Sequence, residues 1–251
     1  YNIRMVNVFD IDIKEIVPKL QKGKEYNIYT VYRDIPINIK ASLSWVDISK
    51  NDEVYLAFNW KNTSMKYAFQ TGNPVYVKIS IPYQSKELSF YIKCDVFSSI
   101  RDELILTANA VVEVPPFLKR VSVRVELDSK HKSYAKLCAE NIEDAKECLS
   151  NLELKNISEG GFAIKIKKDE EKSNIVLNVL KDLAQKNIVF EAELYIDSNQ
   201  IRAKANIVNI YEEDEYIIAG FKMSVDRKDA IKLSSIIIKL QQEIIQEIKS
   251  L

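Results

Sequence analysis

The chain has 251 residues, of which 47% are hydrophobic and 29% charged, and its 36 basic and 36 acidic side chains give a formal net charge of zero. This length and composition fit one large domain or two of ordinary size, and they exclude a disulfide miniprotein and a disordered tail. The charge balance argues against a histone-like nucleic-acid coat, so an anionic ligand must be bound by a local cluster.

The first half of the chain is predicted to contain a short helix and then a series of strands. Asp12 to Lys22 is amphipathic, with Asp12 and Glu15 in capping-box spacing and Gly23 as a stop signal. Apolar runs of period two follow without intervening helices, which predicts an antiparallel sandwich or barrel. The runs are Tyr26–Tyr29, Ile35–Ile39, Val54–Phe58, Val75–Ile81, Phe90–Ile92 and Leu104–Leu106.

A diproline then interrupts the pattern. Pro115-Pro116 cannot donate to a strand ladder and favours a stiff extended segment, so we place a domain boundary between residues 114 and 115. The second domain, residues 115–251, is again predicted to be β-rich, with helices at Asn141–Leu149 and Asn174–Gln185. Its strand candidates are Val121–Leu127, Leu152–Asn156, Phe162–Ile166, Ile188–Ile196, Gln200–Ile210 and Tyr216–Met223. From the residues alone, the predicted fold class is mainly β, with two small antiparallel β-rich domains, the first a sandwich or a barrel.

A long helix is predicted at the C-terminus, where Asp226 and Asp229 form a capping pair. Its predicted buried positions, at steps of three and four, are Leu233, Ile237, Leu240, Ile244 and Ile248. A second apolar line widens this stripe and consists of Ile231, Ile238 and Ile245. The stripe either packs on the barrel mouth or forms part of a helical dimer seam, which leaves monomer and homodimer both open.

The cysteines and the histidine argue against a metal site. His131 is the one histidine, and Cys94, Cys138 and Cys148 are too few to form a zinc set with it. An odd, scattered cysteine set is typical of a reducing compartment, so we expect Cys138 and Cys148 to fill apolar space. We expect His131 to be an exposed loop residue without a catalytic role.

Targeting signals are also missing from the sequence as it stands. No apolar run is long enough to cross a bilayer, and Tyr1 to Arg4 lacks a signal-peptide core, so we expect a cytoplasmic protein without a membrane span. The sequence does not begin with methionine, which leaves open whether residues precede Tyr1.

Two short motifs carry the candidate chemistry. Arg120 and Arg124 are four residues apart, just after the diproline. Between two predicted strands, Asn156-Ile157-Ser158-Glu159-Gly160-Gly161 contains two of the five glycines of the chain. We interpret it as a tight turn in which glycine supplies a positive φ or lets a ligand approach the backbone.

These residue types suit a guanine nucleotide that carries several phosphates. Arginine pairs bidentately with guanine O6 and N7 or with phosphate oxygens, asparagine can read a base edge, and serine can donate to a phosphate. Nucleotide hydrolysis is not favoured, since the chain has no GxxxxGK[ST] loop and no acid placed to hold magnesium.

At these residues the sequence resembles the PilZ family of cyclic di-GMP receptors, whose signature is RxxxR followed by [DN]xSxxG. Arg120 to Arg124 matches the first element, and Asn156 to Gly161 matches the second. Gly220-Phe221-Lys222-Met223 is similar to the family's closing strand, and the terminal helix follows it. The resemblance covers about Phe117–Leu251. It implies a six-stranded antiparallel barrel with the RxxxR arm folding over ligand on the barrel surface. For the whole chain it implies a mainly β fold of two small antiparallel β-barrel domains with a long C-terminal helix.

The resemblance implies that the arginines contact guanine and phosphate, the asparagine a guanine edge, and the serine a phosphate or base. The two glycines form the turn, and a lysine beside the first arginine strengthens phosphate binding. The implied ligand-binding residues are Lys119, Arg120, Arg124, Asn156, Ser158, Gly160 and Gly161. The N-terminal half resembles the PilZ-like barrel, also called YcgR-N-like, that precedes the receptor domain in two-domain members, but it carries no specific motif.

The function that follows is a non-enzymatic cyclic di-GMP receptor, in which ligand orders the arm, changes the domain arrangement and signals to an unidentified downstream protein. The output would be motility, attachment or gene regulation, and no cofactor besides the ligand is expected. One alternative is an adaptor that binds no ligand. Another is a nucleic-acid-binding regulator that stacks bases on aromatic residues of the N-terminal barrel. Those aromatic residues are Trp45, Tyr55, Phe58, Trp60, Tyr67 and Phe69.

Overall fold

The computed structural model describes residues 11–61, 64–83, 86–139, 148–168 and 172–250. The chain divides into two compact units, the first formed by residues 1–121 and 244–251 and the second by residues 122–243. Each unit is built around its own set of antiparallel strands. The predicted fold class, mainly β with a C-terminal helix, is confirmed.

The first unit contains a closed antiparallel barrel of six strands, which pair in the order β1-β2-β3-β6-β5-β4 with β4 returning to β1. The strands are β1 (Glu25–Tyr32), β2 (Ile35–Ile48), β3 (Val54–Asn59), β4 (Val75–Tyr83), β5 (Lys86–Ile100) and β6 (Glu103–Val112). Alternate apolar residues point inward, and Ile28, Leu56, Val77 and Leu106 are fully buried. The six strands predicted from the apolar runs are therefore present, and most of them are longer than predicted.

The helix predicted for Asp12 to Lys22 is shorter in the structure. Helix α1 (Ile13–Ile16) is a single turn, and a 3₁₀ turn over Val17–Lys19 follows it. Asp12 caps α1 by accepting a hydrogen bond from Lys14 N at 2.9 Å. Glu15 N donates to the Asp12 carbonyl oxygen at 3.0 Å and not to its side chain, as the predicted capping box would require. Pro18 has no amide hydrogen and cannot donate to the Lys14 carbonyl oxygen, which explains the early end of the α-helix although Val17 keeps helical geometry.

The diproline segment also differs from the prediction of a stiff extended segment. Pro115 is extended, but Pro116–Leu118 forms a 3₁₀ turn. Phe117 is 7% exposed, and its ring centroid lies 5.5 Å from that of Tyr76 on β4. Burial of this aromatic ring bends the chain where two prolines alone would keep it extended.

The second unit contains seven strands in the order β10-β13-β12-β11-β8-β9-β7. Because β9 pairs with β10 as well as β8, the six strands β8 to β13 form a closed circuit, with β7 added beside β9. The strands are β7 (Val125–Glu126), β8 (Ser133–Ala139), β9 (Cys148–Ser158), β10 (Gly161–Lys167), β11 (Phe190–Ile196), β12 (Asn199–Glu213) and β13 (Tyr216–Val225).

Two predicted elements of this unit need correction, and one strand was not predicted. The strand predicted at Val121–Leu127 is reduced to the two residues of β7, and β8 was not predicted. The helix predicted for Asn141–Leu149 is wrong at its C-terminal end, because Cys148 and Leu149 belong to β9. The rest of that prediction falls on residues 141–147, which lie outside the described part of the chain. The helix predicted at Asn174–Gln185 is present as α2 (Lys172–Gln185).

The C-terminal helix α3 (Arg227–Ser250) follows the prediction closely. Asp226 caps it by accepting a hydrogen bond from Asp229 N at 2.8 Å. The predicted apolar face is buried, since Leu233, Ile237, Leu240, Ile244 and Ile248 are 1–5% exposed. Of the second apolar line, Ile231 is 67% and Ile238 53% exposed. Among the described helices, none combines the length and apolar character that crossing a membrane requires.

The cysteine prediction is wrong for two of the three residues. Cys138 and Cys148 form a disulfide, because they lie directly opposite each other in the β8–β9 ladder with their Cα atoms 4.2 Å apart. Cys94 is a free thiol and is fully buried in the first barrel. Burial raises the pKa of the Cys94 thiol well above its usual range, so this residue is a poor nucleophile.

Thiol counting tests this arrangement. We expect no reaction of the native, non-reduced chain with a thiol reagent, one thiol per chain after denaturation, and three after denaturation with reduction. Mass spectrometry of the alkylated peptides would assign the single thiol to Cys94. Three thiols in the denatured, non-reduced chain would contradict the pairing of Cys138 with Cys148.

His131 is not the exposed loop residue that we predicted. Its side chain is 15% exposed and lies between two carboxylates, with Nδ1 3.0 Å from Asp197 and Nε2 3.3 Å from Glu243. The two carboxylates sit on opposite sides of the ring, which suits hydrogen bonding and not a shared metal ion. Within the described ranges, no group of three or more His, Cys, Asp and Glu residues is arranged to hold a metal.

Candidate functional site

The second motif forms the end of β9, a two-residue turn and the start of β10. Asn156 and Ser158 are the last outward-facing residues of β9, Glu159 and Gly160 form the turn, and Gly161 begins β10. The antiparallel pairing places Ser158 opposite Gly161 and Asn156 opposite Ala163. The motif is therefore a tight hairpin, as its spacing predicted.

A β-bulge in β9 sets the direction of these side chains. Lys155 is an extra residue between the pairs Asn156–Ala163 and Leu154–Ile164. It allows Leu154 and Ile157, three residues apart, to be fully buried together inside the unit. Asn156 and Ser158 consequently point to the opposite, outer face of the sheet.

The strand registers align the motif residues in rows across that outer face. Val125 of β7 pairs with Ile157, so extending this register by one residue places Arg124 opposite Ser158. Ser158 pairs with Gly161 of β10, and Gly161 pairs with Lys222 of β13. One row therefore runs Arg124, Ser158, Gly161, Lys222, which we call the motif row.

A second row lies beside the motif row on the same face. It consists of Glu126, Asn156, Ala163 and Gly220, in the register of β7, β9, β10 and β13. The alanine and glycine at its centre, together with Gly161, have little or no side chain. The face thus combines polar side chains with small residues, and Asn156, Ser158 and Ala163 on it are only 5–7% exposed.

Gly161 is required by close packing and not by an unusual backbone conformation. We predicted a positive φ or close ligand approach at the glycine pair, but positive φ among the glycines occurs at Gly23 and Gly72 instead. A Cβ atom built on Gly161 would lie 2.2 Å from the Phe221 carbonyl oxygen, whereas one on Gly160 comes no nearer than 4.0 Å to Ser122 Oγ. Of this glycine pair, only Gly161 is sterically constrained.

The hydrogen bonds of Ser158 define what it can offer to a ligand. Its side chain is nearly buried, and its hydroxyl donates to the Gly161 carbonyl oxygen at 3.1 Å. With the hydrogen engaged in this way, the oxygen is left as an acceptor. Asn156 is 7% exposed, and every buried side-chain polar atom of the described residues has a hydrogen-bond partner.

The hairpin turn is held by two further contacts. Met223 N of β13 donates to the Gly160 carbonyl oxygen at 3.0 Å, and Ser234 of α3 donates to the Glu159 carboxylate at 2.7 Å. The turn is therefore tied to a strand and a helix. This arrangement favours a preformed position for the polar groups of the hairpin.

Arg124 is available for an external ligand. Its side chain is exposed, and the structure gives its guanidinium no ion pair with any residue described. A solvated guanidinium presents five donors in a planar fork that fits a phosphate or the O6 and N7 edge of guanine. Arg124 lies beside Ser158 in the motif row, so the cation of Arg124 and the acceptor oxygen of Ser158 are at the same end of the face.

Two predicted site residues, Lys119 and Arg120, belong to the first unit and form ion pairs with residues of that unit. Arg120 Nη1 lies 3.1 Å from Asp34 Oδ1, and these side chains are 28% and 22% exposed. Lys119 Nζ lies 3.5 Å from Glu113 Oε2, and both of these side chains are more than half exposed. The Lys119 pair is the weaker one because water screens it.

Sequence reasoning missed two charged residues on the same face. Lys222 belongs to the Gly220-Phe221-Lys222-Met223 strand, to which the sequence assigned no ligand role, and Glu126 lies opposite Asn156. The sequence could have indicated Lys222, because side chains alternate along a strand and a residue next to the inward-facing Phe221 must face outward. Glu126 could not be placed in this way, because β7 is too short to show a period.

The aromatic residues proposed as a base-stacking surface in the first unit do not form one continuous surface. Phe58, Trp60 and Phe69 are 1–2% exposed and belong to the barrel core. Trp45 and Tyr67 are 37% and 36% exposed. Half of the set is therefore core, the role that aromatic residues in small barrels most often have.

A comparison with models of known protein families finds no match. A search of curated proteins finds 30% sequence identity over 236 residues to an uncharacterized protein of Aquifex aeolicus strain VF5, covering 92% of this chain and 93% of the relative. The chain belongs to the family of that Aquifex protein. The match spans both units of this chain and not the motif-bearing half alone.

Solved structures with similarity to the chain include three that contain cyclic di-GMP. The K. pneumonia MrkH complex has 14% identity and a TM-score of 0.44, covering 96% of this chain and 95% of MrkH. YcgR from Escherichia coli has 12% identity and a TM-score of 0.38, covering 93% and 89%. PlzA from Borreliella burgdorferi has 11% identity and a TM-score of 0.29, covering 88% and 89%.

Proposed function

We propose that this chain is a non-enzymatic receptor for cyclic di-GMP, which binds to the outer face of the second unit together with the arginines of the RxxxR motif. The observation that carries the proposal is the placement of Arg124, Asn156 and Ser158 at one end of one sheet face, above the small residues Ala163 and Gly161. These are the residue types that the PilZ signature uses for guanine and phosphate.

The chemistry of the ligand matches these groups. Cyclic di-GMP has two guanine bases and two phosphates that each carry one negative charge. Arg124 can neutralise a phosphate and stack on a guanine face or pair with its O6 and N7 atoms. The Ser158 oxygen is an acceptor for a guanine N–H, and the Asn156 amide can both donate to and accept from a base edge.

The same groups support binding without catalysis. Ser158 donates its hydrogen to a carbonyl oxygen and has no base beside it in the motif row, so it is not an activated nucleophile. Binding without chemistry is what these residues support. The signal would then be carried by a change in the protein.

Binding specificity tests the proposal. We expect tight binding of cyclic di-GMP in a fluorescence competition assay, and at least about 100-fold weaker binding of cyclic di-AMP and GTP. Adenine presents the wrong donors and acceptors to the guanine-reading groups, and GTP has a different phosphate arrangement. Equal displacement by all three nucleotides would indicate a general anion site. No displacement by any of them would favour the adaptor alternative.

The effector part of the proposal is that ligand binding changes the arrangement of the two units. Arg120 belongs to the first unit and Arg124 to the second. The proposal is that ligand orders the arm that carries both arginines. We expect the small-angle X-ray scattering curve of the chain to change on saturation with cyclic di-GMP. Superimposable curves with and without bound ligand would contradict this part and leave the receptor function standing.

A further inference from the structure

Lys222 extends the candidate site beyond the two signature motifs. It lies in the motif row directly opposite Gly161, and two strand spacings of about 4.8 Å separate its backbone from that of Ser158. Its side chain is exposed and shares the outer face with Ser158, because the neighbouring Phe221 stacks inward on Phe162 with ring centroids 4.8 Å apart. We infer that Lys222 is a second phosphate-binding cation, an inference that rests on the proposed function.

The charge distribution on the face supports this role. Arg124 stands at one end of the motif row and Lys222 lies three strands away, with Glu126 as the carboxylate of the adjacent row. For Lys222, as for Arg124, the described part of the structure contains no ion pair. Two cations flanking a floor of small residues give the local positive potential that a ligand with two phosphates requires, although the chain has no net charge.

The geometry of the row suits a ligand that lies between the two cations. The Arg124 and Lys222 backbones are separated by about 14 Å, that is, three strand spacings. Gly161 has no side chain and Ser158 is short, so neither obstructs the space between. Both cations have long, flexible stems that can turn toward a ligand in the middle of the row.

A pair of lysine variants tests the role of Lys222. Replacement of Lys222 by alanine is expected to weaken cyclic di-GMP binding about five- to ten-fold, with a larger loss for Lys222→Glu. Lys167→Ala is the matched control, because Lys167 is an exposed lysine on the same face of β10, six residues or about 20 Å along the strand from Gly161. We expect it to bind as the wild type does.

The salt dependence separates a charge contact from a structural effect. The difference between wild type and Lys222→Ala should shrink as ionic strength rises, because the contact is exposed and screened. Equal affinities of the Lys222 and Lys167 variants would overturn the inference while the receptor function stands. A wild-type chain that does not bind cyclic di-GMP would instead overturn both.

An independent observation in the first unit concerns Arg120. Its partner Asp34 is the second residue of the two-residue turn between β1 and β2, where Arg33 and Asp34 have φ values of 49° and 65°. Such a turn holds its residues firmly, and Arg33 Nη1 also lies 3.3 Å from Glu247 Oε2. The Asp34 carboxylate is therefore a fixed partner for the first arginine of the signature.

We propose that Asp34 acts as a latch that competes with cyclic di-GMP for Arg120. A guanidinium makes similar charge-assisted hydrogen bonds to a carboxylate and to a phosphate, so one partner can replace the other. With Arg120 and Asp34 both less than a third exposed, the pair is screened less than a surface pair. Ligand must release Arg120 from Asp34 before using it, which lowers the apparent affinity. This proposal also rests on the receptor function.

Asparagine at position 34 tests the latch. Asn tolerates the left-handed backbone of the turn, and Asp34→Asn is expected to tighten cyclic di-GMP binding about five-fold. Asp52→Asn is the control, because Asp52 also has a left-handed φ, 66°, and its partner is Lys14 at 3.1 Å. In an Arg120→Ala background, Asp34→Asn should have no effect on affinity. Unchanged or weaker binding by the Asp34 variant alone would refute the latch while leaving the receptor intact.

Discussion

Replacement of Arg124 by alanine is expected to weaken cyclic di-GMP binding at least about 30-fold, the effect of losing roughly 2 kcal/mol from a charge-assisted contact. The fold should be unaffected, because Arg124 is exposed and makes no ion pair that the structure describes. Titration calorimetry measures the affinity, and thermal unfolding shows that the variant is folded. Loss of binding without loss of stability is the specific signature of a ligand contact.

Two further variants sharpen this test. Arg227→Ala removes an exposed arginine from the start of α3 and should leave the affinity unchanged. Arg124→Lys keeps the charge but loses the planar fork, so we expect an affinity between those of wild type and Arg124→Ala. If all three variants bound cyclic di-GMP as tightly as wild type, Arg124 would be an ordinary surface residue.

Gly161→Ala is expected to destabilise the chain by roughly 2–4 kcal/mol. A Cβ atom at this position would lie 2.2 Å from the Phe221 carbonyl oxygen, so the β10 and β13 backbones would have to move apart. Main-chain atoms within a paired ladder cannot give way as a side chain can. Chemical denaturation would show the loss as a lower midpoint, and ligand binding would fall with it.

Gly220→Ala provides the control for the glycine prediction. A Cβ atom there would come within 2.1 Å of Asn209 Oδ1, which is the end of an exposed side chain that can rotate away. We expect a cost below about 1 kcal/mol. Similar destabilisation by the two substitutions would mean that the β10–β13 backbone approach is not what requires glycine at position 161.

The strands were predictable because their burial follows a simple alternation. Tyr26 and Ile28 of β1 and Leu104, Leu106 and Ala108 of β6 are apolar and buried at every second position. The terminal helix shows the corresponding three-and-four spacing down to Ile248. Both patterns can be read from neighbouring residues alone. The site motifs were recognisable for the same reason, because each lies within six consecutive residues.

Long-range pairings account for what the sequence did not reveal. The Cys138–Cys148 disulfide depends on the β8–β9 register, and the contact of Asp34 with Arg120 joins residues 86 positions apart. Neither leaves a local pattern. β8 itself was overlooked although Ala135 and Leu137 alternate with polar neighbours, because its seven residues adjoin a segment that was interpreted as helical.

Of the two roles predicted for the glycine pair, a positive φ is not observed, and the reason is physical. Adjacent glycines suggest positive φ, yet in the structure Gly161 is needed because a neighbouring strand comes too close for any side chain. Such proximity is a property of the β10–β13 pairing and cannot be seen within the motif. The same pairing brings Lys222 to the candidate site.

Calorimetric titration of the intact chain with cyclic di-GMP tests the central claim most directly. We predict saturable binding with a defined stoichiometry of one or two ligands per chain, and its loss in the Arg120→Ala/Arg124→Ala double variant. Loss in the double variant with unchanged thermal unfolding would tie the binding to the RxxxR motif. A folded wild-type chain that releases no heat and binds no cyclic di-GMP at any concentration tested would contradict the receptor function.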